Sequence, residues 1–83
     1  MVLICDIDVT TSITVRLTVS PCTPDAWAWT FLLHTGETIA RGKTVTRLAA
    51  QIASQRAHEH WLHLNRRRLG IPARFSYHWK DVG

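Results

Sequence analysis

The chain contains few of the residues that mark specialised classes of small protein. Its 83 residues include two cysteines, three prolines and four glycines. Two cysteines cannot build the disulfide framework on which many small secreted domains depend. No apolar run approaches the roughly 20 residues that span a bilayer, and the opening MVLICDIDV lacks the basic segment of a signal peptide. We therefore expect a reduced, cytoplasmic protein that does not associate with membranes.

Acidic residues are also scarce, and the resulting positive charge is unevenly placed. Six aspartates and glutamates stand against ten lysines and arginines, which gives a formal net charge of +4 at pH 7. Residues 1–43 carry three cations and four carboxylates, a net of −1, whereas residues 44–83 carry seven cations and two carboxylates, a net of +5. This asymmetry favours an anionic partner, either nucleic acid or an acidic protein surface.

The most regular pattern is an alternation of apolar and polar residues near the start. Apolar side chains occupy nearly all odd positions from Leu3 to Val19, which predicts strand structure with one buried face. A single strand of this length would extend about 55 Å, too long for so small a domain. We therefore predict two strands, separated by a turn near Thr10–Ser12.

Strand and turn signals continue through the middle of the chain. Pro21–Asp25 is predicted to be a loop because it is rich in turn-forming residues, and Ala26–Leu33 alternates large and small residues as a strand does. His34–Glu37 is typical of a hairpin turn, with a glycine free to adopt positive φ. Thr38–Arg41 then forms a short edge strand that ends at Gly42.

One long helix is predicted next. Thr44 can cap its first turn, and the helix should run to about Leu69. Gly70 suits the left-handed position after a helix, and Pro72 prevents continuation. On a helical wheel, the predicted apolar face consists of Val45, Ala49, Ile52, Ala53, Ala57, Trp61 and Leu64. The predicted polar face consists of Arg47, Gln51, Ser54, Gln55, His58, Glu59, Asn65 and Arg66.

Aromatic and polar residues alternate after the helix and predict a last strand. Its aromatic face consists of Phe75, Tyr77 and Trp79, and its polar face of Arg74, Ser76, His78 and Lys80. The whole pattern predicts an α+β fold in the order ββββαβ, with an antiparallel sheet of four to five strands packed against one long helix. We expect a single domain over residues 1–83.

The chain has two rows of aromatic residues, and each row is either buried in the core or exposed as a contact surface. The rows are Trp27, Trp29 and Phe31 in the first half, and Phe75, Tyr77 and Trp79 in the second. Exposed rings would stack on nucleic-acid bases or form a partner or dimer surface. Small domains need large apolar side chains inside, so we favour the core for both rows. If both do not fit beneath the helix, one of them is exposed.

The histidine-rich run His58–His63 contains residue types that bind metals. The zinc-protease pattern fails because Leu62 stands where it requires the second histidine. Glu59 and two of the histidines could still converge, but Arg56 projects near them and repels a cation. We therefore predict no metal and no cofactor, and interpret the histidines as polar residues on a half-exposed helix. The alternative is pH-dependent binding, since histidine changes charge near neutral pH.

The basic end of the helix is the strongest candidate site. Arginines near a helix C-terminus offset the helix dipole, but three in succession, with two more nearby, exceed that need. Their guanidinium groups suit phosphate or carboxylate partners. His60 and Leu64 are predicted to turn toward the sheet. The predicted binding residues are Arg56, His60, His63, Arg66, Arg67, Arg68 and Arg74, with Trp61 or Trp79 as an aromatic anchor.

This layout, a strand meander followed by a capped helix and a closing strand, resembles small accessory proteins of phages and mobile elements, anti-CRISPR proteins among them. The resemblance implies a non-enzymatic protein in the host cytoplasm that inhibits or modulates a host protein–nucleic acid complex. Direct binding of DNA or RNA through the same arginines is the alternative. A small histidine- or metal-dependent nuclease is a third hypothesis, since Asp6 and Asp8 share a strand face. A homodimer through the Thr38–Arg41 edge is also open.

Overall fold

The structure describes residues 1–70 and 75–83, and over these residues the computed structural model contains five strands and one helix. The elements are β1 (Leu3–Asp8), β2 (Thr14–Thr23), β3 (Ala26–Leu33), β4 (Thr38–Thr44), α1 (Arg47–Leu69) and β5 (Lys80–Asp81). The strands form an antiparallel sheet in the spatial order β4-β3-β2-β1-β5. The predicted α+β fold and its ββββαβ order are confirmed.

The core lies on one face of the sheet because the alternating residues of neighbouring strands stay in register. Cys5 of β1 pairs with Leu17 of β2, which pairs with Phe31 of β3, and all three are fully buried. The turn predicted between β1 and β2 is confirmed. It has no glycine or proline, and the Thr10 hydroxyl instead accepts a hydrogen bond from the Ser12 backbone N–H at 3.2 Å.

Strand β2 extends further than the sequence predicts. A loop is predicted over Pro21–Asp25, but β2 continues to Thr23 and only the next two residues form the turn. A register shift between Pro21 and Thr23 accommodates the proline, which has no N–H to donate to a regular ladder. Cys22 therefore lies within the strand, where it is exposed.

Strand β4 passes through its predicted endpoint at Gly42 and ends at Thr44. Gly42 lies opposite Trp29, and a Cβ at Gly42 would stand 2.7 Å from the indole Nε1. The glycine therefore leaves room for the tryptophan ring instead of ending the strand. The predicted edge position of β4 is confirmed, as is the turn over His34–Glu37, where Gly36 has φ 91°.

The helix begins later than the sequence predicts. Thr46, not Thr44, is the capping residue, and its side-chain oxygen accepts a hydrogen bond from the Ala49 backbone N–H at 3.1 Å. The Thr44 hydroxyl instead donates to the Thr46 carbonyl oxygen. The predicted end is confirmed, because Gly70 adopts the left-handed conformation with φ 62°.

The helix buries a different face from the one predicted. Its buried residues are spaced four apart: Ala50, Ser54, His58 and Leu62. Three residues of the predicted apolar face are instead exposed: Val45, Ile52 and Leu64. Small Ala50 and Ser54 let the helix lie close to the sheet, and the Ser54 hydroxyl is satisfied by the Gln51 carbonyl at 2.8 Å. The small and polar residues of the buried face are hardly more hydrophobic than those of the exposed face. A helical wheel drawn from hydrophobicity therefore does not predict which face is buried.

The segment after the helix is not the regular strand predicted. Only Lys80–Asp81 pairs with β1, although residues 75–79 do alternate between half-buried and exposed positions. The half-buried residues pack against the core: Phe75, Tyr77 and Trp79. Both aromatic rows therefore belong to the core, as favoured, and none of the chain's Phe, Trp or Tyr side chains is exposed. The predicted role of Pro72 lies outside the described residues.

Candidate binding surface

Four exposed basic side chains lie on one side of the helix: Arg56, His60, His63 and Arg67. Their successive spacings of four, three and four residues place them on a common helical face. We call this set the basic row. His60 was predicted to turn toward the sheet, but the rotation of the helix places it on the exposed side instead.

Within the described residues, the basic row forms no ion pair, although Glu59 is exposed one helical turn from both Arg56 and His63. In the part of the chain that the structure describes, one ion pair is present, between Arg16 Nε and Asp6 Oδ1 at 2.7 Å on the open face of the sheet. The helix itself contains one acidic residue, Glu59, against five arginines. The row therefore presents a positive surface that is available to a carboxylate or a phosphate.

The remaining predicted arginines do not join the row. Successive helical residues step about 100° around the axis, so Arg66, Arg67 and Arg68 point in three directions, as predicted. Arg68 donates a hydrogen bond to the Asn65 side-chain oxygen at 2.7 Å, which directs it away from the row. Arg74 lies outside the described residues. The structure thus groups Arg67 with the row, while its two neighbours lie to either side.

The predicted aromatic anchors are occupied by the core. Trp61 packs edge-to-face on Phe31, with ring centroids 5.8 Å apart. Trp79 packs against both clusters of buried residues. Neither ring is exposed, so this surface does not present an aromatic anchor to a partner.

Leu64 is one of the exposed apolar residues that the sequence places on the buried face of the helix. It lies one helical turn after His60, beside the basic row, and 68% of its surface is exposed. The sequence predicts it in the core because it fits the apolar face of the wheel. A large aliphatic side chain in this position gives the row an apolar contact beside its charges.

His58 differs from the other histidines because it is fully buried. Its Nδ1 lies 3.0 Å from the Tyr77 hydroxyl, which lies 3.4 Å from the Gln55 carbonyl oxygen. We assign the proton of His58 to Nδ1, so that the Tyr77 hydroxyl accepts from His58 and donates to Gln55. Burial lowers the pKa of His58 to about 4 and raises the pKa of Tyr77 to about 12. His58 is therefore a neutral core residue, and it does not belong to the basic row.

The carboxylates that a nuclease would need are engaged in pairs between neighbouring strands. Asp6 accepts hydrogen bonds from the guanidinium of Arg16 at 2.7 and 3.1 Å, and Asp8 accepts one from the Thr14 hydroxyl at 3.0 Å. The bond to Asp6 raises the pKa of Arg16. Among residues 1–70 and 75–83, no three His, Cys, Asp or Glu side chains cluster as metal ligands would.

Comparison with known proteins assigns the chain to no family. No protein-family model, no curated protein and no solved structure matches it. Over the described residues, no helix combines the length and the apolar character needed to cross a membrane.

Proposed function

We propose that this chain is a non-enzymatic binding protein whose basic row docks on an acidic surface of a protein partner. The observation that carries the proposal is the alignment of four exposed basic side chains on one helical face, none of which forms an ion pair within the described residues. Its partner is a host protein–nucleic acid complex that it inhibits or modulates, in the manner of the anti-CRISPR-like accessory proteins that its layout resembles.

The exposed aliphatic residues beside the row favour a protein over nucleic acid. Leu64 lies on one side of the row, and Ile52 precedes Arg56 by one turn on the other. A phosphate backbone offers such side chains no apolar contact, whereas protein interfaces combine an apolar centre with a charged rim. Direct binding of DNA or RNA is the alternative function, supported by the net charge of +4.

The first experiment compares two variants with the same net charge. Arg56→Glu with Arg67→Glu reverses the arginines of the row, and Arg47→Glu with Lys80→Glu makes the same charge change elsewhere on the exposed surface. Each tagged protein is used to capture partners from bacterial lysate at low and moderate salt, and the captured proteins are identified by mass spectrometry. Circular dichroism checks that both variants are folded.

We expect an acidic component of a nucleic-acid-processing complex to be captured by the wild type and the control variant, and lost from the row variant. Inhibition of that purified complex by the wild type, but not by the row variant, would then establish the function. Equal capture by both variants would contradict the role of the row.

A gel-shift experiment separates the alternative function. If the wild type shifts labelled duplex or single-stranded nucleic acid with an affinity that falls steeply with salt, and the row variant does not, the direct partner is nucleic acid.

A further inference from the structure

Strand β4 leaves one edge of the sheet open. It pairs with β3 on one side, and within residues 1–70 and 75–83 no strand pairs with its other side. The seven residues of this strand, Thr38–Thr44, therefore present a row of unpaired backbone N–H and C=O groups. Such an edge can accept an additional strand from another chain.

The charges on β4 oppose pairing with a second copy of the same strand. Arg41 and Lys43 are exposed and lie on the open face of the sheet, opposite Thr30 and Ala28 of β3. A symmetric antiparallel pair in full overlap would place Arg41 against its own copy. Each of the two neighbouring symmetric registers shortens the overlap to five residues: one places Arg41 against Lys43 in both halves, and the other places Lys43 against Glu37, beyond the end of the strand. Like charges directly opposite each other destabilise a strand pair, so β4 favours a strand that carries carboxylates at alternate positions.

The open face beside these cations has space for the side chains of such a strand. A shallow depression of about 480 Å³ is lined by Ala28, Thr30, Arg41 and Lys43, together with Trp29 and Gly42. Because Ala28 and Thr30 are small, a carboxylate-bearing side chain of an added strand can reach the two cations without displacing a larger residue.

The opposite face of an added strand would meet the exposed flank of the helix. The Gln55 carbonyl accepts a hydrogen bond from the Tyr77 hydroxyl, so Gln55 marks the flank that faces the C-terminal segment beside β1. Leu64 follows Gln55 by nine residues, about two and a half turns, which places it on the other flank, toward β4. Ala40 and Gly42 of β4 are small and half-buried on this face. Aliphatic side chains at the alternate positions of an added strand would therefore pack toward Leu64.

We infer that β4 binds an extended segment of an acidic protein partner in which carboxylates alternate with aliphatic residues, and that the segment adds a sixth strand to the sheet. The carboxylates face Arg41 and Lys43, the aliphatic side chains face the flank of the helix, and the backbone of the segment pairs with β4. The inference rests on the proposed function only in taking the partner to be an acidic protein.

The test uses a short synthetic peptide that alternates glutamate and valine. Successive N–H groups of a strand point to opposite sides, and those of β4 on one side already pair with β3. We therefore expect peptide binding to protect the alternate amides on the open side from hydrogen exchange, measured by NMR. The same peptide with N-methyl groups on alternate residues cannot form the backbone ladder and should not bind. Equal binding of both peptides, or protection confined to the helix, would show simple attraction to a positive surface and overturn the inference.

Variants separate the edge from the basic row. We expect Arg41→Glu with Lys43→Glu to weaken binding of the glutamate–valine peptide about tenfold, since two cross-strand attractions become repulsions. Arg47→Glu with Lys80→Glu serves as the charge-matched control. The row variant should retain the peptide, so loss of partner capture by that variant and loss of peptide binding by the β4 variant are independent results. Protection of β4 that rises with protein concentration without peptide would instead assign the edge to a second copy.

Discussion

His58 combines full burial with an ionisable ring, and the two are compatible only while the ring is neutral. Aromatic rings surround it at centroid distances of 5.5 to 6.4 Å: Phe31, Trp61, Phe75 and Tyr77. Burial lowers its pKa to about 4, whereas a histidine in an unfolded chain has a pKa of about 6.5. The unfolded chain therefore binds this proton more tightly than the folded protein does.

We expect acid to destabilise the protein through His58. Above pH 6.5 its contribution to the free energy of unfolding is constant, and as the pH falls from 6.5 to about 4 the protein loses on the order of 3 kcal/mol. His58→Phe keeps an aromatic ring in the cluster and should remove this loss. Urea unfolding, followed by tryptophan fluorescence at several pH values, measures it.

Tyr77→Phe provides the matched control, because it removes the hydroxyl beside His58 and leaves the imidazole buried. We expect this variant to lose about 1 kcal/mol near neutral pH and to retain the acid sensitivity. An unchanged acid slope in His58→Phe would assign the sensitivity to other groups.

Gly42 is a second position where a single added atom, a Cβ, is expected to destabilise the protein. A Cβ in Gly42→Ala would lie 2.7 Å from Nε1 and 2.9 Å from two further ring atoms of Trp29. We expect this variant to lose about 1–3 kcal/mol of stability through overpacking, measured by urea unfolding. Adding Trp29→Phe should recover part of that loss, because the shorter ring lacks the indole atoms in contact. Additive effects of the two substitutions would contradict the steric explanation.

At the scale of elements, signals carried by neighbouring residues predicted the structure well. Strand alternation over residues 3–19 and 26–33, the hairpin turn and the glycine at the helix end are local patterns, and the structure confirms them. The capping residue was missed because Thr44 and Thr46 both precede the helix and both have a hydroxyl to offer. Sequence alone does not show which of the two has the extended backbone of a cap.

The two threonines provide a direct test of the helix start. Thr46→Ala removes the acceptor for the Ala49 N–H, and we expect it to cost about 1 kcal/mol. Thr44→Ala removes only an exposed hydroxyl contact to a carbonyl, so it should cost less. Thermal unfolding of the two variants under the same conditions measures the difference. A larger loss for Thr44→Ala would place the cap where the sequence predicts it.

The rotation of the helix was not predictable from its own sequence. The helical wheel predicts that the half with more aliphatic residues is buried, yet Ser54 and His58 lie in the core. Each has a partner: the Ser54 hydroxyl bonds to the carbonyl one turn earlier, and Nδ1 of His58 bonds to the hydroxyl of Tyr77, while Nε2 of His58 is buried without a partner among the described residues. The second partner is nineteen residues away, so a wheel drawn on the helix alone cannot include it. The candidate site follows the rotation, because it exposes His60 and Leu64 together.

For the whole molecule, charge and apolar contact should control different steps of binding. Charges exposed at the rim of an interface steer the encounter, whereas desolvated apolar contacts set the lifetime of a complex. With the captured partner protein, we expect Arg56→Glu with Arg67→Glu mainly to slow association and to reduce its salt dependence. Leu64→Ala should mainly speed dissociation, by about tenfold for a loss of 1.4 kcal/mol.

Surface plasmon resonance at several salt concentrations distinguishes these effects. Val45→Ala is the control for Leu64→Ala, since Val45 is also exposed but precedes the helix, far from the row. If Leu64→Ala changed only the association rate, or Val45→Ala had the same effect, Leu64 would not be the apolar contact.

The bulged end of β2 gives the molecule a ready attachment point for chemistry. Cys22 is exposed there, whereas Cys5 is buried in the sheet, where desolvation raises the pKa of its thiol and slows its reaction. A maleimide dye or a surface tether would therefore modify Cys22 selectively without mutation. The β2–β3 turn lies at the end of the sheet where the helix begins, and the basic row lies in the later half of that helix. A protein immobilised through Cys22 would present its positive surface outward.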